Sequence, residues 1–207
     1  MAVLDELKDA IISGKRDEAK HLTKKALDEG LEEKTIVVDG IAAAMEVAGE
    51  KFRANEFFVP ELLIAQRAMK ECLSMMSGTA IDYMGTVVIG TVKGDLHDIG
   101  KNLVAAMLEG AGFKVVDLGV DVSPEQFTTA AKENSADLVA MSALLTTTMG
   151  SMRETVQALD SAGLKGKIRV MIGGAPVTQS YADEIKADGY APDAASAVDR
   201  ARQLLPA

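Results

Sequence analysis

Cysteine, aromatic residues and positive charge are all scarce in this sequence. Its 207 residues include one cysteine, Cys72, which excludes an internal disulfide framework and a multi-cysteine metal cluster. The net charge of −9 argues against nucleic-acid binding, because phosphates require a basic surface. No apolar run reaches the roughly 18 residues of a transmembrane helix, and the acidic N-terminus is unlike a secretory signal. We therefore expect a globular, cytoplasmic protein, with an aliphatic core because tryptophan is absent.

Apolar residues in the first half of the chain recur at helical spacing, without strand-like alternation. Helical runs are expected at about residues 3–12, 17–29, 36–53 and 58–76. Helices joined by such short connections form a small antiparallel bundle, which we place at residues 1–80. Residues 78–85 begin and end with glycine and are expected to link this bundle to the rest of the chain.

Segments typical of buried strands alternate with helical segments from Thr86 onward. Strands are expected at residues 86–92, 113–118, 138–142, 168–172 and 189–191. Helices are expected at residues 99–109, from the Ser123 cap onward, at 149–162 and up to residue 205. The predicted fold class is therefore α plus α/β: a four-helix bundle, followed at residues 86–207 by a doubly wound, flavodoxin- or Rossmann-like domain with five parallel strands.

Unusual polar residues gather in the loops that follow the predicted strands. Ligands of doubly wound sheets bind beyond the carboxyl ends of the strands, so these loops form the candidate site. The loop after the first strand carries Asp95 and His97, and the third strand runs from Ser142 into three threonines at 146–148. The fourth strand ends at Gly173-Gly174.

His97 is the candidate metal ligand in these loops. Asp95 can accept a hydrogen bond from one ring nitrogen, which fixes the tautomer and leaves the other nitrogen for a metal. A zinc or iron site built from protein ligands needs more partners, and His21 and Cys72 lie far away in the sequence. A lone histidine suits a metal whose other positions are filled by a macrocycle, and a surface or helix-capping role is the simpler alternative. A phosphate site is disfavoured, since residues 90–94 match neither GxGxxG nor GxxxxGK[ST].

Three motifs in the second half together resemble those of cobalamin-binding domains. Residues 95–100 match DxHxxG, residues 142–144 match SxL, and residues 173–174 match GG, in the expected order after the expected strands. The first half resembles the helical cap domain of these proteins, especially at residues 49–52 and 56–63. The chain thus resembles the corrinoid subunit of methyltransferase systems for methylamines, methanol, glycine betaine or methoxyaromatic compounds, and the cobalamin-binding region of methionine synthase.

This resemblance implies a cobalamin or related corrinoid bound base-off, with His97 as the lower axial ligand of cobalt. Asp95 and Thr148 would complete a hydrogen-bonded relay behind the histidine, and Phe58 and Leu62 would cover the methyl face of the corrin. The remaining contacts, many of them around the displaced nucleotide tail, would come from Gly94, Leu96, Asp98, Ile99, Gly100, Ser142, Leu144, Thr146, Gly173, Gly174, Tyr190 and Ala194.

The function implied by the resemblance is that of a methyl carrier, which is not a catalyst on its own. It would accept a methyl group on cobalt(I) from a substrate-specific methyltransferase. It would then deliver the group from methyl-cobalt(III) to a second methyltransferase with a folate or thiol acceptor. A reductive activase would be a further partner. The alternatives are a cobalamin-binding sensor or regulator, the small subunit of an adenosylcobalamin mutase, and a flavodoxin-like domain without a corrin.

Overall fold

The computed structural model describes residues 2–76 and 83–205. The chain divides between Tyr83 and Met84 into two compact units, apart from residues 110–112, which group with the first. Most of the linker that the sequence predicts at residues 78–85 lies outside the described residues. No helix in the described ranges is long and apolar enough to cross a membrane.

The first unit is entirely helical, as the apolar spacing predicts. Its elements are α1 (Ala2–Ile12), α2 (Arg16–Asp28), α3 (Glu33–Thr35), a π-helical segment (Ile36–Ala42), α4 (Ala43–Arg53) and α5 (Val59–Leu73). The predicted third helix is therefore a continuous run from α3 to α4 that is widened in its middle. The long helices contact one another and bury aliphatic side chains between them, including Leu7, Ile11, Ile41, Leu62 and Met69.

The second unit alternates strands and helices along the chain. They are β1 (Thr86–Thr91), α6 (Ile99–Gly110), β2 (Lys114–Asp117), α7 (Pro124–Glu133), β3 (Leu138–Ser142), α8 (Met149–Ser161), β4 (Arg169–Gly173), α9 (Gln179–Ile185), β5 (Gly189–Ala191) and α10 (Ala194–Leu204). The five strands are all parallel and lie in the order β2-β1-β3-β4-β5. The predicted doubly wound sheet is confirmed.

Two helix starts in this unit show what the sequence pattern detected and what it missed. The backbone N–H of Gln126 donates to the Ser123 hydroxyl, and the N–H of Ser123 donates to the Gln126 side chain, so Ser123 caps α7 as expected. Helix α9 was not predicted. It is only seven residues long and starts at Thr178, whose hydroxyl accepts a hydrogen bond from the Tyr181 N–H. So short a helix gives too few turns for a periodic signal.

The register of the sheet brings the strand ends level with one another. Thr91 pairs with Ser142, Ser142 pairs with Gly173, and Gly173 pairs with Ala191. The chain order reverses around β1, which lies between β2 and β3. The loops that follow these three strands therefore meet at the switch point of the sheet, where doubly wound folds bind ligands.

The Gly173-Gly174 pair is required by the packing of neighbouring backbone. A Cβ atom on Gly174, whose φ is +129°, would lie 1.9 Å from the carbonyl oxygen of Ala143. A Cβ atom on Gly173 would lie 2.9 Å from the carbonyl oxygen of Ala191. The two glycines thus allow the end of β4 to pack closely against two backbone segments. One is the residue after β3, Ala143, and the other is the end of β5, Ala191.

We expect Gly174→Ala to destabilise the protein far more than Gly163→Ala. Both glycines have positive φ, but a Cβ on Gly163 meets nothing within 4 Å, so that variant measures backbone strain alone. The free energy of unfolding in urea should fall by about 1 kcal/mol for Gly163→Ala and by at least about 3 kcal/mol for Gly174→Ala. Equal losses would contradict the role assigned to the Ala143 carbonyl.

Candidate functional site

The loop after β1, residues 92–98 and here called the histidine loop, turns sharply before α6 begins. Gly94 has a φ of +83°, and the Asp95 N–H donates to the carbonyl of Val92 at 3.1 Å. The Thr91 hydroxyl donates to the carbonyl of His97 at 2.9 Å. The turn directs Asp95 inward, where its side chain is fully buried, and leaves 52% of the His97 side chain exposed.

One oxygen of the Asp95 carboxylate orients the imidazole ring of His97. Oδ1 lies 2.7 Å from Nδ1 of the ring and also accepts the backbone N–H of His97 at 3.1 Å. An ionised carboxylate can only accept, so Nδ1 carries a proton and the lone pair of a neutral ring is on Nε2. Within the described part of the chain, Nε2 has no hydrogen-bond partner. It is therefore a free nitrogen ligand on a half-exposed ring.

The second oxygen of Asp95 connects the histidine loop to the loop that follows β3. Oδ2 accepts the backbone N–H of Leu144 at 2.8 Å and that of Leu145 at 3.3 Å. The hydroxyl of Thr148 lies 2.8 Å from the same oxygen. The structure thus brings Asp95, His97 and Thr148 into one hydrogen-bonded chain, the arrangement that the sequence resemblance implied.

The Asp95 carboxylate is held in its ionised form. Burial alone raises the pKa of Asp95, but hydrogen bonds from the His97 ring, the Leu144 amide, the Thr148 hydroxyl and the His97 amide outweigh that effect. The pKa of Asp95 therefore lies well below its usual value of 3.8. The anion can therefore hold the Nδ1 proton of His97 at neutral pH.

Thr148 offers one proton to two acceptors. Its buried hydroxyl lies 2.8 Å from Oδ2 of Asp95 and 2.9 Å from the carbonyl oxygen of Leu145. Thr148 also occupies the position before α8, but its side chain makes no capping bond to that helix. Its hydroxyl is used by the carboxylate instead, and it can turn between the two oxygens.

Large apolar side chains surround this polar centre and remain exposed. Those after β1, β2 and β3 are 36–75% exposed and are here called the apolar rim: Leu96, Ile99, Val120, Leu144 and Leu145. Exposed apolar surface gathered at the switch point of a doubly wound sheet is suited to contact with an apolar group. Sequence reasoning missed Leu145, which lies just beyond the SxL motif, and Val120, because only the strand order places the loop after β2 beside the histidine loop.

The other residues predicted from the DxHxxG and SxL motifs also lie at this edge of the sheet. Thr146 is exposed and Ser142 is half-buried at the end of β3. Gly100 is the second residue of α6, and a Cβ there would meet nothing within 4 Å, so a ligand can approach its backbone. The carboxylate of Asp98 instead accepts a hydrogen bond from the Asn102 side chain at 3.0 Å.

The site residues predicted outside those motifs differ in their exposure to solvent. Tyr190 of β5 is half-buried, while Ala194, the first residue of α10, is buried. In the helical unit, Phe58 precedes α5 and is 62% exposed, whereas Leu62 one turn later is fully buried. Phe58 therefore presents an apolar surface in this structure, and Leu62 is part of the interior.

A buried lysine beside the site was not predicted. The side chain of Lys101 is 2% exposed, and its Nζ donates to both carboxylate oxygens of Asp117, at 2.7 and 2.5 Å, and to Oδ1 of Asn102. The sequence offered one signal of this burial: Lys101 stands among apolar residues in the helix predicted at 99–109. The ion pair joins α6 to the end of β2.

These features fit a metal that is held mainly by an apolar macrocycle. No group of three or more histidine, cysteine, aspartate or glutamate side chains that could hold a metal ion lies within residues 2–76 and 83–205. The site instead offers a single oriented imidazole, an apolar rim and open backbone at Gly100. The fold and site together define a doubly wound domain whose switch point suits a corrin.

Comparisons with known proteins agree with this description. Residues 85–199 match one family model described as a B12 binding domain, and residues 3–76 match a second with the same description. The chain therefore belongs to the family of B12-binding corrinoid proteins.

Its relatives match along nearly the whole chain. A corrinoid protein of Desulfitobacterium hafniense is 41% identical over 99% of this chain and 98% of its own length. The dimethylamine corrinoid protein of Methanosarcina barkeri is 43% identical over 98% and 97%. Among solved structures, the methanol:cobalamin methyltransferase complex of Methanosarcina barkeri contains a chain that superposes with a TM-score of 0.91 at 30% identity, covering 99% of this chain and 80% of that one.

We expect Asp95→Asn to destabilise the protein in a way that depends on pH. Asparagine cannot accept all the hydrogen bonds that the carboxylate accepts. The free energy of unfolding at neutral pH should therefore fall by about 2 kcal/mol. Because folding lowers the pKa of Asp95, its stabilisation is complete above the unfolded value near pH 4 and declines as pH falls below it.

Urea denaturation of wild type and Asp95→Asn over a pH series checks this expectation. The difference in free energy of unfolding should be constant above about pH 5 and should shrink below about pH 4. Asp17→Asn is the matched control, because the Asp17 side chain is 95% exposed. A difference that stays constant down to the lowest pH at which the protein folds would contradict the prediction.

Proposed function

We propose that this chain is a cytoplasmic methyl carrier that binds a corrinoid base-off, with Nε2 of His97 as the lower axial ligand of cobalt. One observation carries the proposal: Asp95 holds Nδ1 at 2.7 Å and leaves Nε2 free on a half-exposed ring within the apolar rim. When bound, the corrinoid supplies the cobalt atom that accepts and gives up the methyl group. Membership in the B12-binding family supports the choice of cofactor.

In this proposal each part of the chain has a separate role. Residues 86–207 form the corrinoid-binding domain, and residues 1–80 form the cap domain, where Phe58 covers the methyl face. The histidine loop and Gly100, together with Ser142 and Thr146, receive the displaced nucleotide tail, and the GG motif and the segment from Tyr190 to Ala194 close that slot. An apolar cover excludes water from a reactive metal centre.

The hydrogen-bonded chain behind His97 can hold and move a proton. While Nε2 serves as a ligand, the ring keeps its single proton on Nδ1, facing the Asp95 anion. If Nε2 is not bound to a metal, its lone pair is free to accept a proton, while Asp95 keeps the Nδ1 proton in place. The Thr148 hydroxyl can donate either to Asp95 or to the Leu145 carbonyl, so the hydrogen-bonded chain can adjust. Ligation and protonation thus compete for the same nitrogen.

A methyl carrier requires partner enzymes. The structural relative is part of a methanol:cobalamin methyltransferase complex, and the dimethylamine corrinoid proteins are named for another methyl donor. By analogy, we propose a substrate-specific methyltransferase that loads this chain. A second methyltransferase, with a folate or thiol acceptor, would unload it, and a reductive activase would restore the cobalt after oxidation. The two relatives support the substrate-specific methyltransferase more directly than they support the second methyltransferase or the activase.

A cobalamin-binding sensor would share this site, so turnover must distinguish it from a carrier. The chain loaded with methylcobalamin carrying a labelled methyl group is incubated with extract of its own host and a thiol or folate acceptor. A carrier passes the label to the acceptor, whereas a sensor retains it.

We expect His97→Ala to change the ligand of bound cobalt from nitrogen to water. Wild type and variant are refolded with hydroxocobalamin and desalted, and their visible spectra are compared. The wild type should retain the corrin with a histidine-ligated spectrum, and the variant should show a water-ligated one. His21→Ala is the control, since His21 lies in α2 and should leave the spectrum unchanged. Identical spectra for wild type and His97→Ala, or loss of corrin from both, would refute the proposal.

A further inference from the structure

The segment that follows β2, residues 118–122, is hydrogen-bonded to the histidine loop. Oδ1 of Asp121 accepts the backbone N–H of Gly94 at 2.7 Å, and the N–H of Asp121 donates to the carbonyl of Asp95 at 3.0 Å. We propose that Asp121 is a positioning residue that fixes the histidine loop so that His97 is ready to bind cobalt. The inference rests on the proposed role of His97 as axial ligand.

The two hydrogen bonds of Asp121 enclose the residue that orients the imidazole. One is made to the N–H of Gly94, the residue before Asp95, and the other to the carbonyl of Asp95 itself. The backbone of Asp95 is therefore fixed on both sides. Its carboxylate then orients the His97 ring over 2.7 Å. If Asp121 moved, the backbone of Asp95 would move with it, and the carboxylate of Asp95 would in turn shift the His97 ring.

Asp121 is itself anchored to regular structure. The N–H of Thr91 donates to the carbonyl of Gly119, and the carbonyl of Thr91 accepts the N–H of Val122, both at 3.0 Å. The carboxylate of Asp117 accepts the N–H of Gly119 at 2.9 Å while it is paired with the buried Lys101. The segment is thus held by β1 and α6, and sites supported by such elements keep their geometry better than sites on free loops.

The conformation of Asp121 explains why aspartate occupies this position. Its φ is +55°, in the left-handed region that only glycine, asparagine and aspartate enter readily. The contact with Gly94 also requires a side-chain acceptor. Asparagine meets both conditions, whereas glycine meets only the first. The two substitutions therefore separate the hydrogen bond from the backbone requirement.

The test compares Asp121→Gly with Asp121→Asn in the apo and loaded protein. Without corrinoid, hydrogen exchange followed by NMR should show the Gly94 amide protected in wild type and in Asp121→Asn, and exposed in Asp121→Gly. On titration with aquocobalamin, Asp121→Gly should raise the Kd about tenfold and reduce the histidine-ligated fraction, because a hydrogen bond to a charged group is lost. Asp121→Asn should restore both to within about twofold of wild type.

Ser135→Gly is the matched control for added backbone freedom. Ser135 also has a positive φ, of +49°, but it lies between α7 and β3, away from the histidine loop. Its Kd for aquocobalamin should equal that of wild type. An equal rise in Kd for Ser135→Gly and Asp121→Gly would overturn the proposal, as would an unchanged Kd for Asp121→Gly.

Two further results keep this inference separate from the proposed function. If His97→Ala leaves the spectrum unchanged, the axial-ligand proposal fails, and the positioning role fails with it even when Gly94 is protected. If His97→Ala changes the spectrum and Asp121→Gly does not, only the role of Asp121 fails. If Asp121→Gly does not fold, hydrogen exchange of the Gly94 amide in the wild type is the deciding measurement. Exchange of that amide at the rate of an open loop would overturn the proposal.

Discussion

The buried negative charge of Asp95 is the constraint on which the rest of the site depends. A carboxylate without contact with water is costly unless hydrogen bonds replace its hydration. Here the ring and amide of His97, the amides of Leu144 and Leu145 and the hydroxyl of Thr148 supply those bonds. They come from the loops after β1 and β3, so satisfying one charge fixes both loops. It also orients the imidazole through Nδ1 and leaves Nε2 without a hydrogen-bond partner in the described part of the chain.

The surroundings of that charge divide into a polar interior and an apolar exterior. Behind the ring, hydrogen bonds lead from His97 to Asp95 and Thr148, and Asp121 holds the backbone of the loop. In front of it, the apolar rim faces outward, which suits a macrocycle that excludes water. In the proposed complex, one histidine would suffice for a metal site because the macrocycle would provide the other ligands. The protein would provide the orientation of the imidazole.

Much of the fold follows from local pattern. The strands were predictable because they are short, continuous apolar runs, and the four-helix first half because its apolar residues repeat at a period of 3.6. The DxHxxG, SxL and GG motifs located the candidate site through resemblance. The widening of the third helix and the short helix α9 were not predictable, since neither changes the periodicity enough. Burial of Leu62, exposure of Phe58 and the pairing of Lys101 with Asp117 depend on packing that one sequence does not display.

The sequence by itself determined the five strands, the longer helices, their alternation in the second half, and the pairing of Asp95 with His97, two residues apart in one loop. Only the tertiary structure decided what surrounds that pair. Thr148 lies 53 residues from Asp95 along the chain, and Asp121 lies 27 residues from Gly94. They meet because β1 lies between β2 and β3, so the loops of its two neighbours close on the histidine loop from either side. Local sequence patterns set periodicity but not strand order, and strand order decides which distant loops become neighbours.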